Sequence, residues 1–276
     1  MKNILIPIDF SQHSLSATRT GCFISNTCDA TIHLVHVVKA PEDWEILTEA
    51  QQNRNPEIQK KIAEAELEAM KFSKLPLFES LTVIPRVYGG VPYKTILEYA
   101  LAYKIDLIIM GAHGISESPQ LFLGSTAQKV IRNADCLVLS VKKNFKPQSL
   151  NKILYASDFV SDGIKKSVKS VCEFAEDIKA KLDFAYINTP AEFIDSFTIE
   201  ERIKKLMGTI NPRKHKLFIH NDFTKDQGIL NLSKKIKTNI LALTTHNRKN
   251  KKNYQIGITE TMLYKTDMPV LSLVMK

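Results

Sequence analysis

Residues 106–126, DLIIMGAHGISESPQLFLGST, join a short apolar run to a glycine-rich loop and then to the start of a helical pattern. An unbroken apolar run such as LIIM is typical of a parallel strand that is buried on both faces. Glycine admits positive φ and leaves no Cβ between the main chain and a ligand. The stretch therefore predicts a strand, a loop and a helix of an α/β sheet, with a loop that an anion can approach closely.

The helix after this loop is a candidate phosphate site. A helix N-terminus presents free N–H groups and about half a positive charge, which suits a phosphate. Ser125 and Thr126 add hydroxyl donors, and one of them can also cap the helix. No lysine follows the last glycine, so the loop is not of the Walker type. From spacing alone, plain turn residues remain the alternative explanation of the glycines.

The sequence contains two copies of one plan. KNILIPIDFS (2–11) is matched by NKILYASDFV (151–160), and DCLVLSV (135–141) is matched by DMPVLSLV (267–274). Between these ends, apolar runs alternate with helical patterns, which indicates a parallel sheet covered on both faces. The strands are predicted at 3–8, 31–38, 82–87, 106–110 and 137–141, and near 152–157, 182–188, 214–219, 239–244 and 269–274.

The link between the copies is polar and contains a proline, at residues 142–151. We therefore predict two tandem α/β domains, residues 1–145 (the first half) and residues 146–276 (the second half). Each is expected to be a doubly wound, five-stranded parallel sheet. In the first half the clearest of four predicted helices covers residues 55–73; the others lie near 12–26, 92–103 and 121–133.

The charge is unevenly distributed between the halves. Residues 1–145 hold 15 Lys and Arg against 15 Asp and Glu, and the remainder holds 23 against 14, so the net charge of +9 lies in the second half. The basic residues are scattered and aromatic residues do not interleave with them, so nucleic-acid binding is not favoured over a solvated basic face.

Nothing in the sequence indicates a membrane or an oxidising compartment. No apolar run approaches the roughly 20 residues that span a bilayer, and the N-terminal run is expected to be a strand and not a signal peptide. The four cysteines have no metal-binding spacing. We therefore expect neither a metal site nor disulfides, and a cytoplasmic location.

The spacing Gly111-x2-Gly114-x9-Gly124-Ser125, after a strand that ends in Met, resembles the nucleotide-binding signature of the universal stress protein family. PIDFS near the start, HVV at 36–38 and the closing DCLVLSV are also similar to that family. The resemblance covers the whole chain and implies two adenine nucleotide α-hydrolase-like domains with strand order 3-2-1-4-5. It also implies an adenine nucleotide ligand such as ATP, with or without Mg.

The resemblance implies a set of binding residues in the first half. Those expected beside adenosine or the phosphates are Pro7, Ile8, Asp9, Val37, Met110, Gly111, Gly114, Gly124, Ser125 and Thr126. A carboxylate at a strand end can accept ribose hydrogen bonds, although Asp9 can equally cap the following helix. His36 is expected to pack, and His113 to shape the loop, because no nucleophile is arranged beside it. The loop lacks the basic residue that family members often carry and holds Glu117 instead.

The second half has lost most of this signature. Thr244, Asn247 and Ile258 stand opposite Gly111, Gly114 and Ser125, whereas Gly257, Thr259 and Asp158 match Gly124, Thr126 and Asp9. Ala156 and Ser157 replace Pro7 and Ile8. Threonine tolerates neither positive φ nor a close backbone approach, so we expect no nucleotide in that pose. The basic residues Arg248, Lys249, Lys251 and Lys252 could attract an anion or form a solvated loop.

Three functional hypotheses follow. The first is a nucleotide-responsive stress module that acts through occupancy. The second is slow ATP hydrolysis or nucleotidyl transfer, although no acid–base pair or metal cluster indicates efficient turnover and no catalytic residue is assigned. The third is a scaffold that binds partners without a nucleotide.

The fifth strand of each half is apolar and would lie at an open sheet edge, which proteins usually pair or cover. We expect residues 137–141 and 269–274 to pair with each other in an internal pseudo-dimer. Association of two chains into a homodimer stays open.

Overall fold

The computed structural model describes residues 1–112, 125–160, 163–210, 215–246 and 257–275. The first half contributes strands β1 (Asn3–Pro7), β2 (Thr31–Lys39), β3 (Val83–Gly90), β4 (Leu107–Ala112) and β5 (Leu137–Lys142). Its helices are α1 (Gln12–Cys28), α2 (Glu49–Gln52), α3 (Pro56–Phe72), α4 (Pro92–Ala102) and α5 (Ser125–Asn133). Proline opens α3 and α4, where its missing N–H costs no helical hydrogen bond.

The second half repeats this order. Its strands are β6 (Lys152–Ala156), β7 (Lys181–Asn188), β8 (Leu217–Asn221), β9 (Ile240–His246) and β10 (Val270–Met275). Its helices are α6 (Ile164–Asp177), α7 (Ser196–Ile210), α8 (Lys225–Ile236) and α9 (Ile258–Lys265). No helix among the described residues is long and apolar enough to cross a membrane.

All the described strands form one sheet in the order β3-β2-β1-β4-β5-β10-β9-β6-β7-β8. The predicted order 3-2-1-4-5 is therefore confirmed, and the second half has the same order. Strands within a half pair in parallel, whereas β5 and β10 pair antiparallel with Leu139 opposite Leu271. The predicted pairing of the two fifth strands is thus present, and it joins two five-stranded sheets into one of ten strands.

The hydrophobic core runs without interruption through both halves. Side chains alternate between the two faces of the sheet, so Ile4 and Ile6 lie in one apolar cluster and Leu5 in the other. Each cluster also contains residues of β10, with Leu271 on the first face and Val270 on the second. Because both cores cross the β5–β10 junction, we expect the halves to unfold together.

The repeated Asp-Phe pair forms the same turn at the end of the first strand of each half. Asp9 accepts a hydrogen bond from the Ser11 amide at 3.1 Å, and Asp158 accepts one from the Val160 amide at 3.2 Å. The residue between them, Phe10 or Phe159, has a φ of 60° in both cases. The aspartate side chain thus stabilises a left-handed backbone that a phenylalanine rarely adopts.

Candidate functional site

The candidate site lies where the order of the strands changes direction. β1 lies between β2 and β4, and the chain leaves β1 towards β2 on one side and later returns as β4 on the other. In open parallel sheets, ligands bind in the crevice beyond the carboxyl ends of strands at such a point. Pro7, Val37 and Met110 all lie at these strand ends.

Two of the predicted residues face the same side of this crevice. Met110 is buried in the core cluster on the α4–α5 face of the sheet, and the partly buried Val37 packs against the same cluster. Pro7 is partly exposed at the end of β1. Pro7 and Val37 are only partly buried and can offer apolar surface to a nucleobase, whereas the Met110 side chain is 6% exposed.

Ile8 does not belong to this surface. Its side chain is only 4% exposed and packs in the core on the α1 face. Its amide donates to the Val35 carbonyl at 2.8 Å, and its carbonyl lies 2.7 Å from His36 Nδ1. Ile8 therefore offers neither its side chain nor a free main-chain group to a ligand. Its structural role is to hold His36, which also stacks on Phe10 with ring centroids 4.9 Å apart, as expected of a packing histidine.

Asp9 is exposed, and its carboxylate is ionised at neutral pH. Partial desolvation raises its pKa, but hydrogen bonds from the side chain and amide of Ser11 and from Ser14 outweigh that effect and leave the pKa below its usual value. Ser11, and not Asp9, is the N-cap of α1, since its side chain accepts from the Ser14 amide. A carboxylate has about four lone-pair sites, so Asp9 can accept a further hydrogen bond beside those from Ser11 and Ser14.

Gly111 is a glycine because α1 passes directly over it. A Cβ placed on Gly111 would lie 2.6 Å from the carbonyl carbon of His13, closer than side chains can approach a backbone. This packing requirement explains the glycine without any ligand. In the second half α6 begins eight residues after β6, whereas α1 begins five residues after β1. Thr244, which stands opposite Gly111, is only 9% exposed.

The first turn of α5, residues 125–128, contains no charged side chain. Its first residues are the exposed Ser125 and the partly buried Thr126, and its first turn has no acidic residue. Ala127, at the third position, is buried against the core. The loop between β4 and α5 lies outside the described residues, and with it the predicted residues Gly114 and Gly124 and also His113. Their roles therefore remain expectations.

The N-terminus of α9, the equivalent helix, is closed by a carboxylate of the chain itself. Glu260 stands where α5 has Ala127, and its Oε2 accepts from the Gly257 amide at 3.1 Å. Its Oε1 accepts from Arg132 Nε at 2.7 Å and from Gln128 Nε2 at 3.1 Å, both on α5 of the first half. The Glu260 side chain is only 7% exposed. An anion therefore already occupies the start of α9.

The contact between Glu260 and the Gly257 amide has a recognisable signal in the sequence. A glycine followed three residues later by glutamate, as in GITE at 257–260, is the spacing of a capping box. The contacts of Glu260 with Arg132 and Gln128 of α5 could not be predicted in the same way, because they depend on how the halves pack. Asn247 and the basic residues at 248–252 lie outside the described part of the chain.

Comparison with known proteins identifies the class to which this fold and site belong. The family model of the universal stress proteins matches residues 1–142, so the chain belongs to the universal stress protein family. Among its relatives is a universal stress protein of Methanocaldococcus jannaschii, 33% identical over 150 residues, which are 51% of this chain and 82% of that protein. Another, from Thermus aquaticus, is 32% identical over 143 residues, which are 51% of this chain and 98% of the relative.

A solved structure resembles the whole chain. The crystal structure of a universal stress protein from Archaeoglobus fulgidus superposes with a TM-score of 0.75 and covers 99% of this chain and 98% of its own. The sequence identity is 15%, so the likeness concerns the fold alone. The likeness in fold extends over both halves of the chain.

Proposed function

We propose that this universal stress protein binds an adenine nucleotide, such as ATP, in its first half and acts as a stress-response module through the occupancy of that site. In this proposal residues 1–145 form a domain with an intact nucleotide site, and residues 146–276 form a domain whose site is degenerate. The proposed contact residues are Pro7, Asp9, Val37, Met110, Gly111, Gly114, Gly124, Ser125 and Thr126, with Ile8 acting only by positioning the turn.

The contrast between α5 and α9 is the observation that carries the proposal. Both helices begin beyond the carboxyl end of the fourth strand of their half. The first turn of α9 is neutralised by Glu260, whereas the first turn of α5 contains hydroxyl groups and no carboxylate. Free N–H groups and the positive end of a helix dipole favour an anionic group at α5 and not at α9.

The remaining described residues fit the other parts of a nucleotide. Pro7 and Val37 offer apolar surface for a base, and the ionised Asp9 offers an acceptor for a ribose hydroxyl. The site is thus apolar at one end and suited to an anion at the other, which is the polarity of an adenine nucleotide.

We also propose that the protein acts in the cytoplasm. All four cysteines are free thiols. Burial raises the pKa of Cys22 and of Cys136 to about 12, so both are protonated and unreactive at neutral pH.

Calorimetry with ATP, together with mass spectrometry of any nucleotide that co-purifies, tests the nucleotide site. We expect at most one adenine nucleotide site per chain. Gly124→Val should abolish binding, because a branched side chain would stand where the phosphates approach, and repeating the titration with EDTA shows whether Mg contributes. Gly257→Val, the matched change at the start of α9, should leave the affinity unchanged. Two equivalent sites, or full affinity in Gly124→Val, would contradict the proposal.

A further inference from the structure

The second half contains a cleft of about 400 Å³ at the carboxyl ends of β6, β7 and β9. This volume lies within the range of about 300–1,000 Å³ of ordinary ligand pockets. Its floor is apolar and consists of the buried residues Ala156, Ile187, Ile229 and Leu243. The loss of the nucleotide signature has therefore not closed the crevice of this half.

One wall of the cleft is held rigidly. Asn188 is only 3% exposed, and its side chain makes two hydrogen bonds with Ile194. Its Nδ2 donates to the Ile194 carbonyl at 2.8 Å, and its Oδ1 accepts from the Ile194 amide at 3.0 Å. An ion pair between Glu192 and Lys225 ties the same loop to the start of α8. A preformed wall lowers the ordering cost of binding.

The cations of the cleft differ in their pairing. Lys225 is paired with Glu192, whereas Arg202 on α7 has no hydrogen-bond or ion-pair partner within the described residues. Burial raises the pKa of Tyr186 in the same wall, Lys225 and Arg202 lower it, and the carboxylates of Glu192 and Asp158, which also line the cleft, raise it. A guanidinium beside an apolar cleft is suited to bind a carboxylate through two parallel hydrogen bonds.

The cleft is not suited to the polyphosphate of a nucleotide. Glu260 holds the start of α9 and places a negative charge where the phosphates would lie. Phe193 and Val160 add exposed apolar surface to a lining that also includes the carboxylates of Asp158 and Glu192. The apolar floor, together with an arginine that has no partner among the described residues, indicates a ligand with a long apolar part and a single acidic group.

We propose that the second half binds a small amphipathic carboxylate, with its apolar chain on the floor formed by Ile187, Ile229 and Leu243 and its carboxylate on Arg202. This site is independent of the nucleotide site proposed in the first half. It gives the second half a ligand chemistry of its own.

Calorimetric titration of the full chain with octanoate and with octanamide tests the proposal. The two probes share the chain length, and only octanoate carries a charge. We expect one octanoate per chain and an affinity at least about tenfold above that of octanamide, because only the carboxylate forms charge-assisted hydrogen bonds with a guanidinium. In Arg202→Gln the two probes should bind equally, and Arg202→Lys should recover part of the preference.

Two controls separate this site from others. Arg86→Gln, which neutralises an exposed arginine on β3 of the first half, should leave octanoate binding unchanged. Gly124→Val should remove nucleotide binding and keep octanoate binding, so that failure of one proposal is distinguishable from failure of the other. Equal binding of octanoate and octanamide by the unmodified chain, an unchanged preference in Arg202→Gln, or displacement of octanoate by ATP would overturn the proposal.

Discussion

The two helices that follow the fourth strands, α5 and α9, have the same place in the fold and opposite electrostatic states. α5 opens with Ser125, Thr126 and Ala127, and its first turn has no carboxylate. α9 opens with Ile258, Thr259 and Glu260, and the glutamate occupies the free amide at its start. In the proposed function, one substitution from alanine to glutamate replaces an external anion at α5 by an internal carboxylate at α9. A duplicated binding site can thus lose its ligand while its helix terminus stays satisfied.

A second difference between the halves concerns the space above the fourth strand. Gly111 leaves room for the first turn of α1, whereas in the second half, where Thr244 stands opposite Gly111, α6 begins later after its strand. The glycine and the early helix start therefore belong together. A threonine at Gly111 would require α1 to lose its first turn, so the two halves cannot exchange this residue singly.

The largest effect is expected where the halves join. Leu271→Ala in β10 should lower the free energy of unfolding by about 2–5 kcal/mol, because Leu271 is 1% exposed and packs opposite Leu139 of the other half. Trp44, the single tryptophan, is buried in the first half and reports on it. In this variant the midpoint of denaturant unfolding should shift by the same amount whether it is followed by Trp44 fluorescence or by circular dichroism. A fluorescence transition that stays in place would show that the halves unfold separately.

The next effect tests whether an internal carboxylate is what separates α5 from α9. Ala127→Glu should weaken ATP binding about 100-fold, about 2.7 kcal/mol, because the new carboxylate competes with phosphate for the start of α5. Calorimetry provides the measurement. Ala127→Gln adds the same volume without charge, so it should retain much more affinity than Ala127→Glu. Equal losses in both variants would assign the effect to size and contradict the electrostatic explanation.

A smaller effect is expected when the charge of Glu260 in α9 is removed. Glu260→Gln should cost about 1–3 kcal/mol of stability, since it removes the charge that holds Arg132 across the two halves. Thermal and denaturant unfolding measure this loss. Asp226→Asn breaks the exposed pair with Lys265, which lies within the second half, and should cost less than about 1 kcal/mol. A Glu260→Gln variant as stable as the unmodified chain would show that the contact between α5 and α9 adds nothing.

Most of the fold could be predicted from local patterns. The helix predicted at 55–73 is α3, Pro56–Phe72, and the strand predicted at 3–8 is β1, Asn3–Pro7. Long amphipathic runs and buried apolar runs carry their own periodicity, so they are recognisable without tertiary information. The predicted strand near 214–219 is less accurate, since β8 covers Leu217–Asn221 at the edge of the sheet. Its residues are only partly buried, and the apolar signal is correspondingly weak.

The site was harder to predict, because the roles of its residues depend on contacts with elements that are distant in the sequence. Ile8 follows a strand end as Asp9 does, yet its side chain faces the opposite core from Met110. Gly111 is explained by the position of α1, almost 100 residues earlier in the sequence. The cleft of the second half combines residues of three strands with Arg202 of α7, and no short spacing predicts that combination.

The contact between Glu260 and Arg132 has a consequence for how such a chain can change over evolutionary time. In a symmetric pair of identical subunits every interface contact occurs twice, because each partner contributes the same residues. Here the counterparts of Glu260 and Arg132 are Ala127 and Lys265, which cannot form an ion pair, and Lys265 is paired with Asp226 instead. Covalent linkage of the two copies permits this one-sided bridge. Each half can therefore accumulate substitutions that a self-associating single domain would have to accept on both sides of its interface at once.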